Sequence, residues 1–478
     1  MSERPLRSYD LIWLSLALLA LVALSFLFAV RPQDYWWCLR VGRDIVSTGA
    51  VPVTETLSWS RAGEPILYEP WLACVIFERV HVLGGASGAF LLRGLLIGLT
   101  YGLLWVMARR QVGPQMAALL VLIAGLAGSN NWEMRAQLFA YPLFVLCLYI
   151  LLEWQSGSEK MLWILPVITI LWANLHGSFL LSLALTGSAL LFGKGNRKAL
   201  FIVILLMLAG TLLTPHGIAL WEHLHFMLTV PSNQEFSLEW RAPVNEGWQM
   251  NVFFAWVLSF APLAAFSSRK LSVMEWVWFL AFGWLAFSGV RYVIWFLFLI
   301  IPLTGKVLTG VLPHRPNPPE NNRHTPFHIT FALLCVLLSL VYLPGIREKW
   351  WAQAPAAYDS EITPITAVEW LSRHPDLPGP MWNDYAFGSY LAYALPSRPV
   401  WVDSRFFPFT AAQMDEYLQV SRGSPLWDSV FEREKINLLV LSTANQSALI
   451  RLVESSEQWC EQYRDETAVI FSRCEPVP

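Results

Sequence analysis

The sequence predicts a polytopic α-helical membrane protein that ends in a small α/β domain. Three observations carry this. Only 14% of the 478 residues are charged, against about a quarter in an ordinary soluble domain. Long apolar runs recur, among them Leu11 to Val30, Phe90 to Met107, Phe201 to Leu213 and Phe327 to Val341, and a helical run of about 20 residues crosses about 30 Å of hydrocarbon. Beyond residue 345 the long runs stop, and short apolar segments alternate with mixed ones.

Taken in order, the runs predict about 11 transmembrane helices, near 11–30, 88–107, 114–128, 138–152, 161–175, 178–193, 199–214, 250–266, 273–289, 292–310 and 325–343. Arg4 and Arg7 precede the first run, which is too long for a signal peptide and has no small-residue cleavage site after it, so it reads as a retained helix. Basic residues then set the orientation. With the N-terminus cytoplasmic, the inner connections hold Arg109 and Arg110, Lys160, Lys194 with Arg197 and Lys198, Arg269 with Lys270, and Lys306 through Arg323, as the positive-inside bias expects. The first outer loop is then 31–87, the membrane domain 1–344, and 345–478 an extracytoplasmic α/β domain.

Within that tail, Pro364 to His374 reads as a helix opened by proline. Residues 398–402, 437–442 and 467–473 read as short buried strands, and Ala411 to Val420 and Thr443 to Glu454 as helices. The segment 311–324, rich in Pro and Asn, reads as a cytoplasmic loop. Net charge is −2 and no basic tract stands out, which argues against nucleic acid as a partner. The six Cys have no metal-ligand spacing. Cys147 and Cys335 fall inside apolar segments. Cys460 and Cys474 flank a hairpin turning near Asp465 and Glu466 that does not set them directly opposite, so their pairing stays open.

Polar residues collect at the outer ends of the spans. Asp34 opens an amphipathic stretch to Val46, with Trp37, Val41 and Ile45 on one face, suited to lying on a membrane surface. Glu69 precedes a second such stretch, from Pro70 to His81. Either carboxylate serves as a helix-start group or as a base or metal ligand; together they would hold a divalent metal ion or raise one pKa by mutual repulsion. The next outer turn, Asn130 to Gln137, brings Arg135 and Gln137, whose donors suit a phosphate. Asn174 and His176 sit in an apolar hairpin, where polar groups are costly unless paired; they read either as phosphate-binding groups or as makers of a structural hydrogen bond between the short-turn helices. Arg291 reaches the same side. In the tail, Asp384 and the pair Asp403 and Arg405 end short apolar segments, and a structural salt bridge is favoured over a site there.

The stretch Asp34 to Leu92 resembles the first outer loop of the GT-C glycosyltransferase superfamily, especially the lipid-A aminoarabinose transferases and protein O-mannosyltransferases. The matching pieces are Asp34, Gly49-Ala50-Val51-Pro52 and Tyr68-Glu69-Pro70-Trp71; Pro70 and Trp71 stand where the family has Lys and Pro after its Glu. The chain is also similar to a group of bacterial membrane proteins sharing the stretches seen here at Asp34 to Trp37, Arg135 to Phe139, Trp172 to Gly177, Asn383 to Tyr385 and Asp403 to Arg405, a likeness that names no reaction. The superfamily resemblance implies transfer of a sugar from a polyprenyl-phosphate donor to an acceptor, with inversion, at the outer face of a bacterial cytoplasmic membrane. Asp34 would then be the base, Arg135 with His176 or Arg291 would stabilise the leaving phosphate, and Glu69 would place the acceptor or hold a divalent ion. Two other readings fit the same spans: a transporter or flippase of a lipid-linked or polar substrate, though no internal repeat is visible, and a non-catalytic membrane assembly protein.

Overall fold

The computed structural model describes residues 6–229, 238–312 and 324–474, so Arg4 and nearly all of the segment 311–324 lie outside the described residues. Each expected span coincides with a helix. Four are long and apolar enough to cross a bilayer: Trp71–Val112, Gln137–Gln155, Gly247–Phe266 and Val290–Val311. The others are shorter apolar helices, such as Asp10–Ser25, Pro114–Ala127, Val273–Ser288 and Thr325–Leu340. The chain is a multi-pass membrane protein. The longest helix breaks at Gly85, whose φ of 55° and ψ of −143° only glycine adopts cheaply, and this separates the stretch ending near His81 from the span after it.

The chain forms two compact units. The first comprises residues 1–28, 84–220 and 237–355. Its most enclosed helix is Val293–Val311, buried without interruption from Val293 to Gly305. Trp295 on this helix packs against Tyr141, Phe144 and Trp172 at 5.3, 5.1 and 6.2 Å between ring centroids. Buried arginines tie off the end of Asp10–Ser25, where the last carbonyls of a helix lack intrahelical donors and favour a cation. Arg93 donates through Nη2 to the carbonyl of Phe28 at 2.6 Å, and Arg347 donates to those of Phe26 and Pro355. Several of the basic groups expected on the inner side meet acids: Arg109 with Asp10 at 3.0 Å, Arg110 with Glu153 at 2.7 Å and Lys306 with Glu275 at 2.6 Å.

The second unit comprises residues 29–83, 221–236 and 356–478. Its sheet holds β1 (Met381–Asn383), β2 (Leu438–Ser442), β3 (Trp459–Arg464) and β4 (Ala468–Arg473) in the order β1-β2-β4-β3. β1 and β2 run parallel and the other pairs antiparallel, so helices Tyr385–Ala394, Ala411–Ser421 and Trp427–Arg433 make the crossover. Beneath lie Trp382, Trp401, Tyr417 and Phe431. The expected strands at 437–442 and 467–473 are present, but 398–402 is not one. Its backbone pairs with the first loop through a single bridge: Val400 donates to Leu57 at 3.0 Å and accepts from Trp59 at 2.9 Å.

The amphipathic stretch is the helix Asp34–Thr48, with Trp37, Val41 and Ile45 all buried; Gly49, at φ 74°, ends it. A disulfide joins Cys38 to Cys74. One turn further along each helix, Gly42 faces Cys74 and Glu78 so closely that a Cβ would stand 2.2 Å from the Cys74 carbonyl oxygen. Cys460 and Cys474 are also bonded, with Cα atoms 5.1 Å apart. Cys460 lies opposite Ser472, so the bond is a diagonal one, within reach although the two are not directly opposed.

Candidate functional site

Within the first unit, the turn after Pro114–Ala127 and the start of Gln137–Gln155 shape a cleft lined by Asn130, Asn131, Glu133, Arg135, Gln137, Glu239, Val290 and Arg291, with about 410 Å³ of empty space, part of it open to solvent. Three of the residues expected to bind phosphate, Arg135, Gln137 and Arg291, thus share one cavity. Their local chemistry differs. Arg135 is ion-paired to Glu133 at 2.9 Å and to Glu239. Arg291 instead lies over the Trp240 ring, 4.4 Å from its centroid, and makes no ion pair with any of the described residues. A guanidinium on an aromatic face keeps its donor edge available.

Asn174 and His176 are not among the lining residues. Asn174 donates to the carbonyls of Ile170 at 2.8 Å and Leu213 at 3.1 Å, which is the structural alternative. His176 Nδ1 accepts from the Ser178 amide at 3.0 Å, and Trp172 donates to Ser178 Oγ at 3.1 Å. The imidazole thus shapes the hairpin turn, and its Nε2 carries the proton when the ring is neutral.

Within the second unit, Asp34 is the first residue of its helix, and its Oδ1 accepts from Trp37 Nε1 at 3.2 Å. The Trp37 ring stacks on Tyr68 at 6.2 Å, and Glu69 follows directly. Two aromatic rings and the Cys38–Cys74 bond therefore link the segments that carry the two candidate carboxylates. Two carboxylates alone would need oxygens from phosphate and water to complete a divalent shell. Among the described residues, no three His, Cys, Asp or Glu side chains gather as metal ligands.

Tyr68 leads to a cluster that the sequence showed only in part. Arg405 donates to Tyr68 Oη at 2.6 Å, to Asp403 Oδ1 and Oδ2 at 2.8 and 2.6 Å, and to Glu55 Oε2 and Oε1 at 2.8 and 3.0 Å. Burial by itself would lower the pKa of Arg405, but Asp403, Tyr68 and Glu55 reverse this and hold it well above the ordinary guanidinium value. Burial pushes the Tyr68 phenol up, with Arg405 opposing. Glu55 also accepts the amides of Leu57 and Ser58 at 2.6 and 2.8 Å. Phe406, next in the chain, is held at φ 56°, a conformation that bulky residues rarely adopt. This cluster fastens the first loop to the tail domain, so the favoured structural role of Asp403 and Arg405 is the one their contacts support. Glu55 went unnoticed because its loop has no periodicity and its partner is 350 residues away.

Asp384 caps the helix Tyr385–Ala394, accepting the Ala386 amide at 2.8 Å. Burial pushes its carboxyl up to about 6, with the Ala386 amide, Asn445 and Tyr417 partly countering.

No protein-family model matches the chain, and no curated protein matches it by sequence. Solved structures do match by shape. The archaeal oligosaccharyltransferase AglB from Archaeoglobus fulgidus, in complex with an inhibitory peptide and a dolichol-phosphate, aligns with a TM-score of 0.56 at 9% identity, over 97% of this chain and 75% of its own. ArnT from Cupriavidus metallidurans, bound to undecaprenyl phosphate, aligns with a TM-score of 0.53 at 14% identity, over 98% of both chains. The arabinofuranosyltransferase AftD from Mycobacteria aligns with 0.55 at 14%, over 99% of this chain and 42% of its own. At such identities the likeness is one of fold.

Proposed function

We propose that this chain, which has the fold of the GT-C membrane glycosyltransferases, transfers a sugar from a polyprenyl-phosphate donor to an acceptor at the outer face of a bacterial cytoplasmic membrane. The observation that carries this reading is the cleft in which Arg135, Gln137 and Arg291 converge, in a multi-pass protein of that fold. A lipid phosphate is a leaving group whose charge grows as the anomeric bond breaks, and fixed guanidinium donors stabilise that charge. On this reading the acceptor oxygen attacks the anomeric carbon, its proton passes to Asp34, and the carbon–oxygen bond to the phosphate breaks in the same displacement, inverting the centre. The hydrogen bond from Trp37 to Asp34 Oδ1 orients the carboxylate, which supports the role of base. Glu69 would place the acceptor. Both disulfides lie in the unit containing the first loop and the tail, which supports an oxidising, extracytoplasmic location for these segments and a cytoplasmic N-terminus.

The test is turnover of a radiolabelled polyprenyl-phosphate sugar by the protein in proteoliposomes, followed as released polyprenyl phosphate. Asp34→Asn is expected to lower turnover by about 10²-fold or more with little change in donor binding. Unchanged turnover rejects Asp34 as the base. Movement of labelled donor across the bilayer without a covalent product would replace the transferase reading by that of a flippase.

A further inference from the structure

We infer that Glu239 is an internal competitor for the anion taken up by the cleft, so that a phosphate must displace this carboxylate before Arg135 can hold it. The inference rests on the phosphate reading above and adds a specificity-setting residue to it.

Arg135 meets carboxylates of two different origins. Glu133 lies two residues before it, and its Oε2 contacts Nη2 at 2.9 Å, so this pair belongs to one turn. Glu239 reaches the other amino group, Nη1, from the short helix Leu238–Trp240, 104 residues away. The same three-residue turn supplies the Trp240 ring on which Arg291 lies. One segment therefore occupies Arg135 with a carboxylate and supports Arg291 with an aromatic face. The four charges at this cleft, two guanidinium and two carboxylate, cancel. A phosphate approaching the cleft meets Arg291 unpaired by any described acid, and meets Arg135 paired to Glu239.

Exposure decides whether displacement is feasible. The Arg135 and Glu239 side chains keep 20% and 34% of their surface exposed. Water can reach a released carboxylate here, so the pair is held less firmly than a fully buried one. A dianionic phosphate offers more acceptor oxygens and more charge than one carboxylate, so it can win the exchange. The phosphodiester of an uncleaved donor carries one charge and displaces Glu239 less readily than the monoester released by transfer, and a neutral ligand does so less readily still. The pair thus discriminates in favour of phosphate monoesters and diphosphates. In population terms, apparent affinity is reduced by the fraction of molecules in which Glu239 is seated.

The experiment is binding of farnesyl phosphate, and separately of inorganic pyrophosphate, to the full-length protein in detergent, with folding checked by thermal unfolding. Glu239→Gln is expected to tighten farnesyl phosphate by about three- to tenfold. Glu239→Asp, which keeps the charge on a shorter arm, is expected to fall between the two. Arg291→Ala should weaken binding in both backgrounds. Equal tightening for pyrophosphate would mean that the phosphate chemistry alone is recognised, and tightening confined to farnesyl phosphate that the lipid head is; either supports the competitor role. Wild-type binding that Glu239→Gln leaves unchanged or weakens overturns the inference while leaving the phosphate site in place. Absence of binding to wild type and Glu239→Gln alike, with no effect of Arg291→Ala, removes the phosphate reading and the inference with it.

Discussion

Replacing Arg405 by Met should unfold the tail-bearing unit at a much lower temperature. The guanidinium has five N–H donors, and the five side-chain bonds to Asp403, Glu55 and Tyr68 use all of them. The Arg405 and Asp403 side chains are 0% exposed and that of Glu55 is 1%, so water cannot replace what the substitution removes. Deleting one partner of a buried ion pair costs about 3–5 kcal/mol, because the remaining charge stays desolvated. Here two carboxylates are stranded, which favours the upper end. For a unit of this size each kcal/mol moves the melting temperature by about 2–4 °C, giving a fall of about 6–20 °C in a thermal scan of the full-length protein in detergent. Arg405→Lys, which keeps the charge but loses the bidentate fork, should give roughly half that. A joint change of Glu55, Asp403 and Arg405 to apolar residues of similar volume should recover much of the loss, since no charge is then left unpaired. An Arg405→Met protein melting within about 2 °C of wild type would refute the view that this cluster holds the unit together.

Asp384→Asn should stabilise the protein at neutral pH. The native carboxyl titrates near 6 against an ordinary value of 3.8, so the native state holds its proton more tightly; the contribution is fully favourable below about pH 4 and is lost as pH rises through 6. Above that the ionised form costs up to about 3 kcal/mol, and the variant should remove this dependence while keeping the cap to Ala386; an equal gap between variant and wild type in denaturant melts at pH 4.5 and 7.5 would rule it out. Gly42→Ala should destabilise by about 1–3 kcal/mol, because the new Cβ meets the Cys74 carbonyl oxygen; since backbone cannot yield as a side-chain tip can, a melting temperature equal to wild type would show that the helices separate freely.

The membrane helices were legible because each apolar run reports its own surroundings. Strand β2, Leu438–Ser442, is buried at every position and was equally plain. Residues 398–402 look extended and are so at Val400, but the chain they pair with is Leu57 to Trp59, and no local pattern announces a partner so remote. The same limit hid Glu55 and the Cys38–Cys74 bond. Strand β1, three residues long, is too short for alternation to register. In the candidate site, Arg135, Gln137 and Arg291 were found as polar groups interrupting apolar sequence. Their pairing was not, because whether a guanidinium meets Glu239 or an indole ring depends on a turn 104 residues from Arg135 and 51 from Arg291.

The Arg405 cluster also has a consequence for biosynthesis. Glu55 and Tyr68 leave the ribosome 350 and 337 residues before the arginine that neutralises and binds them, an interval of about 20–70 s at ordinary elongation rates. During that time Glu55 lacks its native counterion, while the loop's own disulfide, between cysteines only 36 residues apart, is able to close. A chain truncated anywhere before Arg405 would therefore leave Glu55 and Tyr68 without the guanidinium that binds them.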